Sequence, residues 1–522
     1  MINLLVDPTF SVNDRRGCVL TLSLPALFSA VCADSIASLP ALRPHQVGAV
    51  HAFLAQLGFL ACEKSGLTEL PETEAQWRDA LRALTQDWPN DEPWHLVVDD
   101  VEMPAFMQPP PGATALKNKI EFADQLDLLV TSKNHDLKQR LSADGSAEDW
   151  VYALISLQTQ EGFLGAGNFG ISRMNGGFAS RSYLTLADAE FGFGGRIARD
   201  IRVLLSVRNK IHARGKIAGP ALLWTLPWNG EQALALAALH PLYIEICRRI
   251  RMMQSDRDGL YALAGSSKVT RIDAKVMAGN VGDPWLALDV EKDIKAMTLA
   301  ADGFSYKRVH RLLFDRKKYD LPLLAKPHAV DGCHDLVLQC FGLVRGQGKT
   351  EGVHSRRVLI PSSARGWFDA PTQLEILADR SKRMIDLCAL AQGKALRPAL
   401  IQLMQGVEDV SWTKPSNDKL CKVWLDQFET LIDAEFFQLL FELLPLAAEQ
   451  AEVRLSVQLR QWAKRIFDQA LSAAPGSEKR DDFAAGRARG LLNSALRKHL
   501  PAEPGRTEIT EVIHELNLEL DQ

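Results

Sequence analysis

The pattern of apolar positions divides the chain into a mixed N-terminal part and a helical C-terminal part. Before about residue 365, short apolar runs alternate with a few helical segments. Later segments such as Leu374–Leu390 repeat apolar side chains at helical spacing, with charges between them. The pattern predicts an α+β protein, with a large mixed domain over 1–365, an all-α bundle of four to five helices over 372–505 and a tail over 506–522.

Individual elements follow from the local period and the turn residues. Helices are predicted at Val47–Leu60, Glu74–Leu84, Trp150–Leu157, Ile294–Leu299, Tyr306–Phe314, Leu374–Leu390, Leu396–Met404, Val423–Leu444, Val453–Leu471 and Asp482–Leu500, with a break at Gly393. Strands are predicted at Asp127–Thr131, Leu222–Trp228, Trp285–Val290, Val337–Val344 and Arg357–Pro361. The last two strands flank the polar, glycine-rich segment Arg345–Gly352, a pattern that is typical of a β-hairpin.

Length and composition are those of a globular protein of more than one domain. With 522 residues, the chain is too long for one hydrophobic core. No apolar run reaches the roughly 20 residues that a membrane span requires, and the N-terminus lacks the pattern of a signal peptide. The eight cysteines show no CxxC spacing, so we expect reduced thiols, a cytoplasmic location and no metal site.

Charge is close to balanced overall but clustered locally. The net charge of −4 argues against a free-standing, high-affinity nucleic-acid binder. Positive side chains nevertheless concentrate in Arg196–Lys216, Arg248–Arg257 and Lys307–Lys318. Each cluster alone is typical of a solvated face. Several clusters in one half of the chain favour a subunit that touches an anionic partner at one surface.

The segment Gly162–Arg181 carries the strongest local signal. It contains six glycines, at positions 162, 165, 167, 170, 176 and 177. Each glycine inside a helix costs roughly 1 kcal/mol relative to alanine, so the segment is predicted to be a loop whose backbone approaches another molecule closely. The polar side chains of Arg173, Asn175 and Arg181 favour a nucleic acid as that molecule.

A second glycine-rich stretch, Gly346–Thr350, invites comparison with a nucleotide-binding P-loop. The full P-loop pattern needs glycine at position 343, where this chain has leucine. A P-loop must also open a helix, whereas a strand-like run follows here. A nucleotide hydrolase remains an alternative, but a hairpin tip is the better interpretation.

Residues that could support catalysis are scattered. His135, His310 and His354 show neither a paired nucleophile nor metal-ligand spacing. The sequence therefore predicts a protein that is not an enzyme and binds no cofactor.

Seven segments, in order along the chain, resemble the CasA family, the large subunit of the type I-E CRISPR Cascade complex. The resemblance is carried by these segments: Asn3–Asp7, Pro104–Gln108, Leu128–Asp136, Gly162–Arg181, Gly282–Trp285, Arg345–Gly352 and the C-terminal helices. The matches span the chain from residue 3 to about residue 500. Each motif is weak alone, and their common order makes the resemblance specific.

The resemblance implies a role in reading the short motif, the PAM, that flanks a CRISPR target in double-stranded DNA. In the family, a glycine-rich loop and a lysine read the PAM from the minor groove, and a hairpin wedge opens the duplex. The PAM-reading residues then correspond to Gly162, Phe163, Gly165, Gly167, Asn168, Arg173, Asn175 and Lys268, with Arg271 as the fallback for the lysine. The wedge corresponds to Gln347, Gly348, Lys349 and Thr350.

The family also implies partners. A loop contacting the complex and the CRISPR RNA 5′ end corresponds to Leu129, Val130, Thr131, Lys133, Asn134 and His135. The partners implied are the CRISPR RNA, the other Cascade subunits, PAM-containing DNA and an effector nuclease. A cysteine cluster that binds zinc in some members is missing, with only Cys247 nearby. A structural scaffold whose glycine loops pack only against protein is the remaining alternative.

Overall fold

The computed structural model describes residues 2–112, 116–127, 145–177, 179–255, 259–346, 349–406, 412, 416–473 and 478–502. The chain divides into two compact units. The first comprises Met1–Phe304 and Arg311–Ser362, and the second comprises Ser305–His310 and Ser363–Gln522.

The first unit mixes helices with short strands. Its helices are α1 (Leu24–Cys32), α2 (Val47–Lys64), α3 (Glu74–Ala83), α4 (Asp124–Asp127), α5 (Ala147–Gln160), α6 (Phe193–Ser206) and α7 (Arg208–His212). Its strands are β1 (Phe10–Asp14), β2 (Val19–Leu22), β3 (Ile36–Ser38), β4 (Asn118–Ile120), β5 (Tyr183–Asp188), β6 (Leu234–Ala235), β7 (Arg249–Ser255), β8 (Gly259–Gly265), β9 (Ile272–Asp273), β10 (Leu288–Asp289), β11 (Lys295–Ala296), β12 (Tyr319–Asp320), β13 (Leu336–Gly346) and β14 (Lys349–Ile360).

These strands form small sheets. Three-stranded sheets have the orders β2-β1-β3, β4-β8-β7, β11-β10-β12 and β14-β13-β5, and β6 pairs with β9. The longest ladder joins β13 to β14 in antiparallel register, from Leu336 opposite Ile360 to Gly346 opposite Lys349. The other edge of β13 pairs with β5, so β13 is the central strand of this sheet.

Helix α2 lies at the centre of the first unit's core. Every residue from Gly48 to Cys62 is buried. A Cβ atom at Gly48 would lie 2.5 Å from the Tyr183 ring, and one at Gly58 would lie 2.6 Å from Ile201. Glycine is therefore required at both positions by close packing.

A fully buried carboxylate, Asp200, ties several elements of this core together. It accepts hydrogen bonds from His51 Nε2 at 2.9 Å, Thr185 Oγ1 at 2.8 Å and Trp285 Nε1 at 2.9 Å, and Arg199 lies 3.1 Å away. Burial alone would raise the pKa of Asp200, but these donors hold it below the ordinary value. The network explains why an acidic residue is stable in this core.

Helix α8 (Tyr306–Phe314) begins with residues of the second unit. The Tyr306 amide donates to the Asp433 carboxylate at 2.6 Å, and its ring lies 4.8 Å from that of Phe436. The remaining elements of this unit are all helical in the part that the structure describes. They are α9 (Ser362–Asp369, whose first residue belongs to the first unit), α10 (Pro371–Leu390), α11 (Arg397–Gln405), α12 (Ser416–Glu442), α13 (Ala448–Ala473) and α14 (Glu478–His499).

The long periodic helices and the hairpin were predicted correctly, whereas three local predictions were wrong. The break at Gly393 is replaced by a π-helical turn, Ala391–Leu396, which joins α10 to α11. Pro398 removes an amide donor there, and the wider turn lets the helix continue. Ile294–Leu299 is extended, because Ala296 pairs with Leu288 in a sheet. Residues 222–228 hold a single β-bridge from Leu222 to Ile244 and then a short 3₁₀ turn, Leu223–Thr225, in place of a strand.

Part of the clustered positive charge is internal. Arg199, Arg248, Arg249 and Arg251 are all buried. These four charges therefore support the fold, whereas other members of the clusters, such as Lys210, are exposed. Among the described residues, no helix combines the length and apolar character needed to span a bilayer.

Candidate nucleic-acid interface

The glycine-rich segment is an irregular loop that leaves the end of α5, as predicted. Leu164 donates its amide to the Asn168 carbonyl at 2.9 Å, and Asn168 donates to the Gly165 carbonyl at 3.0 Å. Phe163 donates to the Gly177 carbonyl at 3.0 Å, which ties the beginning of the loop to its later part. The backbone conformation is therefore set by hydrogen bonds within the loop.

Three of the glycines are needed for packing inside the protein. A Cβ atom at Gly162 would lie 2.2 Å from the Ala179 carbonyl oxygen, and one at Gly170 would lie 2.7 Å from the Gly162 backbone. A Cβ atom at Gly167 would lie 2.6 Å from Ser266. The absence of a side chain at these positions is explained by contacts within the protein.

The other three glycines have no such explanation. Gly165, Gly176 and Gly177 have positive φ angles of 119°, 95° and 75°. Among the described residues, none has an atom within 4 Å of a Cβ built at these positions. The backbone at these three positions is open to an approaching molecule. Of the three, Gly165 is the one among the predicted PAM-reading residues, and its positive φ angle also favours glycine.

The structure brings Lys268 next to this loop. The Ser267 amide donates to the Gly167 carbonyl at 3.0 Å, so the segment carrying the lysine is hydrogen-bonded to the loop. The Lys268 amide is held by the Gly230 carbonyl at 2.7 Å. Its side chain is 77% exposed, and Nζ lies 2.7 Å from the Glu231 carboxylate. The segment carrying the exposed Lys268 is therefore joined to the loop that contains the accessible Gly165.

The arginines proposed from the sequence lie inside the protein. Arg173 is 2% exposed, pairs with Glu245 at 2.8 Å, and stacks over the Tyr243 ring at 4.2 Å. Arg181 is 1% exposed and makes two hydrogen bonds of 2.6 Å to Asp283. Because both guanidinium groups are committed to buried partners, the prediction that they contact a nucleic acid is corrected.

Arg271, the fallback for the lysine, is also buried. Its guanidinium donates to the carbonyl of Leu226 at 3.0 Å and lies over the Trp228 ring. Burial lowers the pKa of Arg271 to about 10. Between the two candidate cations, only Lys268 is placed to reach a ligand.

The remaining polar candidates differ in exposure. Asn168 is exposed on the loop. Asn175 is half-buried, and its amide group donates to the Ala296 carbonyl at 2.9 Å and to the Thr298 hydroxyl at 2.7 Å. The Phe163 ring lies 6.2 Å from that of Phe169. Asn168 is therefore the side chain of this group that a ligand can reach without breaking a contact.

The second glycine-rich stretch has the geometry of a hairpin. Gly346 ends β13, and Lys349 and Thr350 begin β14, so the stretch does not open a helix. The P-loop alternative is therefore wrong, since backbone amides at a helix N-terminus are what a P-loop requires. Gln347 and Gly348 lie outside the described residues. So do Leu129, Val130, Thr131, Lys133, Asn134 and His135, the predicted contact loop.

The described residues contain no group of three or more His, Cys, Asp or Glu side chains that could hold a metal ion. Cys247 is buried, and its thiol donates to the Leu157 carbonyl at 3.2 Å. Burial raises the pKa of Cys247 to about 12. This cysteine therefore belongs to the core.

Similarity to known proteins is visible in the fold and absent at the level of sequence matching. No protein-family model matches the sequence, and no curated protein matches it with significance. Cse1 from Acidimicrobium ferrooxidans aligns with a TM-score of 0.61 at 15% identity, over 96% of this chain and 99% of that chain. CasA (Cse1) from Thermus thermophilus aligns with a TM-score of 0.58 at 14% identity, over 95% and 99%. The chain has the Cse1 (CasA) fold.

A further match to the Cse1 fold is a chain of a CRISPR RNA-guided surveillance complex. Its TM-score is 0.59 at 12% identity, over 94% of this chain and 99% of that chain. The likeness to CasA predicted from the motifs is thus confirmed for the fold. Identities this low carry no residue roles, so those follow from the geometry of this chain.

Within this Cse1 fold, one participant in the interface escaped the sequence analysis. Glu231 pairs with Lys268 across 37 residues of sequence. Its hydrogen bond to Lys268 holds the pKa of Glu231 below its ordinary value. No periodicity or motif marks the pair, because only the packing of Gly230 against the 266–268 segment brings the two side chains together.

The open conformation of Gly165 in the Cse1 fold yields a prediction with a matched control. We expect Gly165→Ala to lower the affinity for a PAM duplex by about tenfold, because a methyl group occupies the accessible backbone. Gly17 has a φ of 87° and equally open surroundings, in the β1–β2 turn. Both substitutions should destabilise the fold by about 1–2 kcal/mol through strain. Filter-binding and thermal denaturation of both variants test this, and equal affinities would contradict it.

Proposed function

We propose that this protein is the non-catalytic large subunit of a CRISPR RNA-guided Cascade complex, and that it recognises the PAM of double-stranded DNA. Its fold is that of Cse1, and one structure with this fold comes from a CRISPR RNA-guided surveillance complex. The motifs Asn3–Asp7 and Gly282–Trp285 support the same family. The proposed partners are CRISPR RNA, the other subunits and an effector nuclease, in the cytoplasm.

The observation that carries the proposal is the hydrogen bond from Ser267 to Gly167, which joins the segment of the exposed Lys268 to the loop with the accessible Gly165. The minor groove is narrow and presents a degenerate pattern of acceptors, so it is read by shape and by long cationic side chains. A glycine backbone can approach such a groove closely, and a lysine can reach its acceptors. Gly162, Phe163, Gly167, Asn168 and Asn175 then shape the loop around this contact.

The hairpin β13–β14 is proposed as the wedge that opens the duplex beyond the PAM. A tip formed by Gln347, Gly348, Lys349 and Thr350 would carry polar side chains into the duplex, where unstacking a step costs a few kcal/mol. β13 is paired on both sides from Leu336 to Phe341, so this part of the strand provides a rigid base for the hairpin. The segment from Leu129 to His135 is proposed to contact the CRISPR RNA 5′ end.

The second unit is proposed to pack as a four-helix bundle that contacts neighbouring subunits. Helices α10 and α11 count as one helix joined by the π turn, with α12, α13 and α14 as the others. The net charge of −4 fits a subunit whose DNA affinity comes mainly from the assembly.

A structural scaffold is the second candidate function. The packing roles of Gly162, Gly167 and Gly170, and the burial of Arg173 and Arg181, favour it. It does not explain the accessible Gly165 beside the exposed Lys268. A scaffold predicts that target binding is insensitive to the DNA sequence flanking the target.

Replacing Lys268 tests the proposal directly. In the reconstituted complex, we expect Lys268→Ala to weaken binding to a PAM duplex by about 10- to 100-fold, the effect of losing one groove contact. Lys275→Ala removes another exposed lysine nearby and serves as the control. Glu231→Gln should strengthen binding, because it removes the carboxylate that competes for Lys268. Gel-shift titrations on PAM and scrambled duplexes measure all three.

The opposite result is equally clear. If Lys268→Ala and Lys275→Ala bind both duplexes like the unmodified complex, Lys268 does not read the PAM. If the unmodified complex also binds both duplexes equally, the scaffold function is favoured.

A further inference from the structure

A buried ion pair connects the base of the hairpin to the start of the glycine-rich loop. Arg345, the residue before the end of β13, donates to the Glu161 carboxylate at 2.5 Å. The two side chains are 1% and 0% exposed. Glu161 directly precedes Gly162, so one ion pair spans two segments that the proposed function assigns to different steps.

The same arginine reaches a third element. Arg345 also donates to the Asp127 carbonyl at the end of α4, at 2.6 Å. The Asp127 carboxylate is in turn held by His45 Nε2 at 2.8 Å and by the Gln46 side chain at 2.9 Å. Arg345 thus connects α4 to the start of the glycine-rich loop through two charge-assisted hydrogen bonds.

On the loop side, Glu161 belongs to a clamp around the first glycine. Its carbonyl accepts the Ile171 amide at 3.0 Å, and Arg248 donates to the Gly162 carbonyl at 2.8 Å. Burial raises the pKa of Glu161 to about 7, although Arg345 and Arg248 act in the lowering direction. Burial therefore disfavours the carboxylate, and its two arginine neighbours partly offset that cost.

The hairpin is irregular at this point. The register shifts between Val344 and Arg345, so that Val344 faces Gly352 and Arg345 faces Thr350. An extra residue on β14 locally increases twist and redirects side chains. The irregularity lies where the hairpin changes from a strand paired in the sheet to the tip, and Arg345 is the buried anchor at that point.

We propose that Arg345 and Glu161 are positioning residues that couple the hairpin to the glycine-rich loop, so that duplex opening by the hairpin responds to PAM binding at the loop. This inference rests on the proposed function of the two segments. Neither residue contacts DNA in the proposal, since both are buried. Loss of the pair removes the communication between the two segments.

The test measures duplex opening as a ratio. A 2-aminopurine placed at the first target base pair reports opening, and the PAM effect is the opening rate on a PAM duplex divided by that on a scrambled duplex. This ratio does not change when only the amount of folded protein falls. We expect Arg345→Met and Glu161→Gln each to lower the PAM effect by about tenfold.

The double variant and a matched control separate coupling from stability. Because the two residues act as one unit, Glu161→Gln combined with Arg345→Met should lower the PAM effect no further than either change alone. Arg199 forms an equally buried pair with Asp331, at 2.8 Å. Arg199→Met should reduce thermal stability and leave the PAM effect unchanged. If Arg345→Met does not fold, Arg345→Lys is the substitute, because lysine keeps the positive charge and is closer to the native side chain.

Two results would overturn the inference. One is an unchanged PAM effect in a folded Glu161→Gln or Arg345→Met complex, and the other is losses that multiply in the double variant. Failure of the proposed function gives a different result. In that case Lys268→Ala, in a complex with native Arg345 and Glu161, leaves PAM binding unchanged.

Discussion

Replacing Arg181 by methionine should lower the free energy of unfolding of the first unit by about 3–5 kcal/mol. The guanidinium makes two hydrogen bonds of 2.6 Å to Asp283 and lies 4.6 Å from the centre of the Tyr183 ring. Methionine fills a similar volume but leaves Asp283 buried with one fewer cation. Arg173 remains 3.8 Å away, so Asp283 keeps part of its compensation.

Chemical denaturation followed by circular dichroism measures this loss. The pair between Lys326 and Asp320 is exposed, with side chains 44% and 60% accessible. Lys326→Met should therefore cost less than about 1 kcal/mol, and it serves as the control in the same unit. A loss at Arg181 no larger than that of the control would show that the buried pair does not hold the loop's end to Gly282–Trp285.

Removing the polar side chains of the hairpin tip should abolish the start of duplex opening while PAM binding persists. We expect a complex with Gln347–Thr350 replaced by glycine and serine to open the first base pair about 100-fold more slowly, since unstacking a step costs a few kcal/mol. The ladder from Leu336 to Val344 against β14 supports the tip and contains none of the replaced residues.

The measurement combines 2-aminopurine fluorescence with a gel shift on the same PAM duplex. A pre-opened duplex, mismatched at the first two base pairs, supplies the control, because it makes the wedge unnecessary and should restore binding of the full target. Opening at the unmodified rate would show that the hairpin is not the wedge.

The elements that sequence reasoning placed well are those whose period is long. Helix α13 spans 26 residues and α12 spans 27, so the apolar stripe repeats many times and marks the helix without reference to its neighbours. Two-residue strands such as β10 and β11 are set by pairing with distant segments. Their sequences carry too few positions for a period, and Ile294–Leu299 was misassigned for that reason.

In the candidate interface, too, the sequence predicted the local feature and not the long-range contacts. The glycine density of residues 162–177 was sufficient to predict a loop, because glycine is disfavoured in any regular element. Residue type alone could not separate Lys268 from Arg173 and Arg181. Their partners Glu245 and Asp283 lie 72 and 102 residues further along the chain, and only folding brings them within hydrogen-bond distance.

By itself, the sequence determined the mixed and helical halves, the glycine-rich loop, the β13–β14 hairpin and the resemblance to the CasA family, since each depends on local composition or on the order of motifs. The tertiary structure decided which charges are available. It buried the arginines of the loop, left Lys268 exposed beside Gly165, and joined Arg345 to Glu161. The physical reason is that a charge is either solvated or paired, and the pairing partner is chosen by the fold.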